Sequence, residues 1–195
     1  MVDSVAELLE EVEKWSAPKR FKDFFSKERE DTLSRSDHTF RYFAVSYEKA
    51  FELLAEWALD RWGVGGVLHP PILYLARHSI ELHLKLAIDE YVEYTGRSVE
   101  ASGQQLVPLW NELKRQFELA GMPDLDEWGR HCERLIAHIH DIDPDGESFR
   151  YPTHLGDKTF NSAHIELEGL KKAHRNIVLY CEASLNLLGE RNPYY

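Results

Sequence analysis

Between Pro71 and Ile88 the chain is apolar on almost every face that a helix can present. Wound at about 100° per residue, Leu73, Leu75, Ile80, Leu82, Leu84 and Leu86 spread around most of the circumference. A helix of that kind cannot lie on a surface and has to be enclosed by neighbours. The rest of the chain must therefore supply enough amphipathic helix to surround it.

The flanking segments do so. Asp37 to Ala58 carries Phe40, Phe43, Tyr47, Phe51 and Leu54 at helical spacing and stops at "GVGG". The enclosed helix opens at Pro70 and Pro71, residues tolerated in a first turn, and closes at Thr95 and Gly96. Leu106, Leu109, Trp110, Leu113 and Phe117 predict a further helix that ends at "GMP". Another begins near Asp124 or Asp126 with Leu125, Trp128, Cys132, Leu135, Ile136 and Ile139, and the last covers about Ile165 to Leu188. A short amphipathic helix with capping-box spacing at Ser4 to Glu7 runs towards Pro18. No segment alternates with period two. The expected fold is all-α, an antiparallel bundle of about five or six helices, divided into an N-terminal helical arm over 1–36 and a bundle over 37–190 with a polar loop at 140–160.

The 34 acids outnumber the 23 bases for a net charge of -11, which excludes a chain that binds polyanions over its whole surface. The mildest exception, Lys19 to Arg41, holds seven bases against five acids. Cys132 and Cys181 both fall inside apolar helical patterns and read as buried free thiols, which fits a reducing cytoplasm. The first residues lack the basic and apolar runs of a secretory signal, and no run is long enough to cross a bilayer. A cytoplasmic protein without a membrane segment is expected.

Polar chemistry gathers in two places. On the enclosed helix, Tyr74, Arg77, His78, Glu81 and Lys85 share an arc of about 100°. They form either a solvated face of i,i+4 ion pairs or a stripe satisfied by groups from elsewhere in the chain. The loop "HDIDPDGESFRYPTHLGDKTF", His140 to Phe160, could supply those groups: Asp141, Asp143 or Asp145 to Arg77 or Lys85, and Arg150 to Glu81. Asp141, Asp143, Asp145 and Gly146 spell the start of a calcium loop, but its last ligand position holds Pro152. His131 and His138 match no dedicated metal spacing, so neither a metal nor a cofactor is assigned.

At "YLARHSIELHLKLAI", with "LVPLW" at 106–110 and "SFRYP" at 148–152, the chain resembles the HEPN superfamily, over roughly residues 40–188. The resemblance implies a helical bundle frequent in prokaryotic toxin-antitoxin, phage-defence and RNA-processing systems. Ribonuclease members pair an Arg with a His a few residues on, brought together in a dimer over an RNA phosphate. Arg77, His78 and His83 satisfy that spelling, yet Arg77 and His83 project about 120° apart on an unbroken helix. Arg134 to His140 has the same spacing and ends where the loop begins.

The resemblance makes Arg77, His78 and Arg150, with His154 as a further acid or base, the candidate catalytic residues of a metal-independent endoribonuclease. Tyr74, Glu81, Lys85 and Asp143 are the binding candidates. A homodimer or a partner protein is expected, with RNA or a nucleotide as a further partner. The competing reading is a non-catalytic binding or dimerisation module, or a sensor whose Arg77 and Arg150 hold an anion.

Overall fold

The computed structural model describes residues 39–61, 65–101, 103–150 and 166–191. The chain divides after Asp37, and the described residues all belong to His38–Tyr195. The expected helix near Ser4 and the basic stretch before His38 lie outside the described residues, as does His154.

Five helices make up the described part: α1 (Phe40–Leu59), α2 (Gly65–Thr95), α3 (Leu106–Leu119), α4 (Glu127–Ile142) and α5 (Leu167–Arg191). Among the described residues there is no strand, so the fold is an all-α helical bundle. None of these helices is long and apolar enough to cross a membrane. Helix starts are set by side chains that accept otherwise unpaired N–H groups. Thr39 accepts from Tyr42 at 3.2 Å, Asp126 accepts from Gly129 at 2.7 Å, and Glu166 accepts from Gly169 at 2.6 Å and from Glu168 at 3.0 Å.

The packing makes α2 the axis. It touches α1, α3 and α5, while α4 closes the ring by packing on α3 and α5. Ile80, Leu84, Ala87, Ile88 and Tyr91 of α2 meet Trp110, Leu113 and Phe117 of α3, Cys132 and Ile136 of α4, and Ile177, Cys181 and Leu188 of α5 in one core. Fully burying each large member contributes about 1.5–3 kcal/mol. A smaller cluster, Phe51, Ala55 and Ala58 with Ile72, Ala76 and Leu167, fixes α1 to the first half of α2. Small alanines on both helices allow α1 to approach closely.

One boundary differs from the sequence expectation. α2 begins at Gly65, so Pro70 and Pro71 stand inside the helix and not in its first turn. Each removes a backbone donor, and the missing bonds fall in the distal end, before the buried run opens at Ile72. Both cysteines are buried and unbridged, as expected.

The connection from α2 to α3 is fastened at both ends. Arg115 donates to the Ser98 carbonyl at 2.7 Å, lies 3.2 Å from the Glu100 carboxylate and is held by the buried Glu112 at 2.7 Å. Gln116 donates to Glu112 at 2.9 Å and accepts from Thr95 at 3.2 Å. At the other end of the connection the fastener is Arg77.

Candidate functional site: the Arg77 clasp and its aromatic face

α2 carries Arg77 on the side where the α2–α3 connection and the segment after α4 converge. Its side chain is only 4% exposed, and each of its three nitrogens is engaged. Nε donates to the Asp143 carbonyl at 3.3 Å and lies 3.0 Å from Asp143 Oδ2. One terminal nitrogen donates to Glu81 at 3.2 Å, and the other donates to the Gln104 carbonyl at 2.7 Å. Asp143 is buried in turn, its Oδ1 accepting from the Ser148 amide at 2.8 Å. A guanidinium placed in this way clasps three stretches of chain together.

Glu81, also buried, is shared between Arg77 and Lys85, whose Nζ approaches to 2.8 Å; His78 stands 3.8 Å away. Burial by itself pushes the Glu81 carboxyl up, but His78 and Lys85 more than offset this and hold it below its ordinary 4.5. The Glu81 carboxyl is therefore ionised at neutral pH. A buried ion pair of this type fixes geometry more than it adds stability, since both ions lose their hydration.

The sequence candidates Tyr74, Arg77, His78, Glu81, Lys85, Asp143 and Arg150 come together at this place, but the pairings differ in part from those expected. Asp143 does meet Arg77. Lys85 pairs with Glu81, the i,i+4 alternative of the sequence reading, and not with a loop aspartate, because that approach needs no distant partner. Arg150 does not reach Glu81, which Arg77 and Lys85 already cover. It donates to the Gly146 carbonyl at 2.7 Å and to Gln104 Oε1 at 3.5 Å. Asp145 accepts from Gln105 at 2.9 Å, so the acids of the loop are spread over separate partners.

Above the clasp lies an aromatic face. The His78 ring is stacked on Tyr74 at 5.5 Å and meets Tyr47 of α1 edge-on at 4.4 Å. The Arg150 guanidinium lies over the same Tyr74 ring at 5.7 Å. Burial pushes the Tyr74 phenol up, aided by Tyr47, so it stays neutral. Tyr47 and Gln104 escaped the sequence reading. Tyr47 belongs to the periodic pattern of α1, and Gln104 acts through its carbonyl, which carries no residue-specific signal.

Arg77 and His83 are not brought together. Arg77 turns to the connection and the loop, whereas His83 approaches Glu48 of α1 at 3.3 Å. The second Arg-to-His spacing fares similarly: α4 is helical through Ile142, so the chain has not unwound at His140 and exposed Arg134 stays on another face. Among the described residues no group of three His, Cys, Asp or Glu gathers as metal ligands.

Gly146 is where backbone conformation and clasp meet. Its φ of +74° lies in the left-handed region, and a Cβ there would stand 2.7 Å from an Arg77 terminal nitrogen. Gly146→Ala is expected to lower stability by about 1–2 kcal/mol from the backbone alone, with more lost as Arg77 is displaced. Urea unfolding measures this. An unchanged midpoint would mean that the loop does not rest on Arg77.

No family model matches the chain, and no curated protein or solved structure matches it.

Proposed function

We propose that the chain is a HEPN-like bundle that acts by binding a partner protein, a second copy included, in a prokaryotic defence or toxin-antitoxin setting. On this reading the polar stripe holds the molecule together and is not a nuclease centre. The observation that carries it is the occupancy of Arg77. A guanidinium that stabilises a phosphorane must turn N–H groups towards the reacting phosphate. Arg77 spends all three nitrogens on Asp143, Glu81 and Gln104 inside the protein. What is offered outward is the face of Tyr47, Tyr74, His78 and Arg150, whose rings and guanidinium suit aromatic and acidic groups of a partner.

One observation favours a second reading, a metal-independent endoribonuclease. His78 and Arg150 each lie against the ring of Tyr74, and a His and an Arg at one site are the minimum for attack by a ribose 2'-hydroxyl. Incubating a mixed RNA and tRNA pool with the wild type and with His78→Ala, in EDTA, separates the two. No cleavage by either protein is expected. Cleavage by the wild type that disappears in His78→Ala would establish the nuclease and overturn the binding reading.

A further inference from the structure

α1 turns two sides to solvent, and they differ in kind. Wound at about 100° per residue, Arg41, Glu48, Lys49, Glu52 and Glu56 fall on one side of the buried line through Phe51 and Ala55. On the other side an arc of about 140°, from Tyr42 round to Tyr47, holds no charged residue of the helix. Tyr42 is 48% exposed there, Phe43 41%, Leu53 68% and Trp57 39%, with the small, exposed Ser46 and Ala50 between them. A surface helix ordinarily turns charged and polar residues to water. A run of large apolar side chains in that position marks a contact surface.

The order of the residues says what fits there. Phe43 and Leu53 stand equally far from position 48, as do Ser46 and Ala50, so large and small positions read alike from either end. A face that joins its own copy about a two-fold axis needs that symmetry, because residue i then meets j while j meets i. Two antiparallel α1 helices centred on this position set Phe43 of one copy against Leu53 of the other, and place Ser46 against Ala50 where the backbones come nearest. The area suffices as well. At these exposures the four large residues offer about 400 Å² on each copy, a whole aromatic side chain offering about 150–250 Å². With the smaller and partly covered residues of the arc, two copies put about 1,200 Å² out of water, the lower bound of a specific interface. Each copy carries a net charge of -11, and the arc is the part of α1 that brings no like charges together.

We propose that the uncharged side of α1 is a dimer interface whose occupant is a second copy of this chain, packed antiparallel about a two-fold axis that passes between Ser46 and Ala50. The assignment rests on the partner-binding reading and names the partner. Through Tyr47, whose ring meets His78 edge-on at 4.4 Å, the interface adjoins the aromatic face.

Sedimentation equilibrium of the full-length protein over about 1–200 µM tests this, with a dimer of Kd about 1–100 µM expected for an interface of this size. Phe43→Lys and Leu53→Glu, both at exposed positions, should keep the wild-type helicity and each weaken the dimer by at least about thirtyfold, since each change strikes the interface twice. An equimolar mixture of the two variants should associate within about threefold of the wild type, because the new cation of one copy then faces the new carboxylate of the other while the second Phe43 and Leu53 contact stays intact. A dimer that neither substitution weakens, or a mixture no stronger than its components, would overturn the assignment. So would a wild type that stays monomeric throughout, which would give the face to a different occupant. The wider binding reading would survive that result, since the RNA assay above decides it separately.

Discussion

Between pH 6.5 and pH 4.5 the protein should lose about 4 kcal/mol of folding free energy, because two histidines are buried in the neutral form. His174 is packed on Phe51 with ring centroids 4.3 Å apart and shares a hydrogen bond of 3.0 Å with Ser79. Burial drives it down to about 3, and His83 nearby adds to the fall. His83 is driven to about 4, again chiefly by burial. Above the unfolded value of 6.5 neither state binds the proton and stability does not change. Below it, the unfolded chain takes up two protons that the folded chain refuses, so stability falls until the folded values are reached.

Glu48 works in the opposite direction. Burial raises its pKa, so it returns a part of the loss as the pH drops. The low carboxyl of Glu81 adds a loss only below its ordinary 4.5, beneath this window. Urea unfolding at the two pH values, for the wild type and for His83→Gln with His174→Gln, measures the effect. The wild type should show the drop and the double variant a nearly flat response. A wild type equally stable at both values would show that the two imidazoles are not buried neutral.

Arg77→Ala should destabilise the protein by about 3–5 kcal/mol, the usual consequence of leaving buried charges without their partner. It strands Asp143, which has no other cation among the described residues, and halves the neutralisation of Glu81, which keeps Lys85. The Gln104 carbonyl loses its donor as well. Because these groups act as a unit, Arg77→Met combined with Asp143→Asn should be more stable than the sum of the two single losses predicts, by about 0.5–3 kcal/mol. Additive losses, or a melting temperature unchanged in Arg77→Ala, would show that the clasp does not couple the loop to α2.

The helices were legible in the sequence to different depths for a physical reason. Periodicity reports which face of a helix is buried, and the continuous apolar run of α2 could only mean an axis helix. The start of α4 was legible as near Asp124 or Asp126, and capping, which is local chemistry, settles it at Asp126. The start of α2 was not, because prolines in a second turn are tolerated when the bonds they remove lie outside the core. For the site, five polar residues on one arc announced a stripe, and the nearby acids announced partners. Which acid met which base was hidden, since that depends on where the loop is carried after α4. The acceptor from Gln104 was unreadable, as every residue has a carbonyl. His83 was read only as the second half of an Arg-to-His spacing, and its place beside Glu48 became visible once α1 was packed on α2.

The separation of the Arg77 partners along the chain also has a consequence for synthesis. Glu81 follows Arg77 by four positions, but Gln104 lies 27 further on and Asp143 lies 66 further on. At about 5–20 residues per second, the ribosome delivers Asp143 some 3–13 s after Arg77. During that interval α1 is already available to cover α2, and α3 and α4 emerge in turn, while α5 is still to come. The charged arc of α2 remains hydrated during the delay and keeps the nascent helix from sticking to its neighbours. Arg77 then exchanges water for peptide only when the last of its partners emerges.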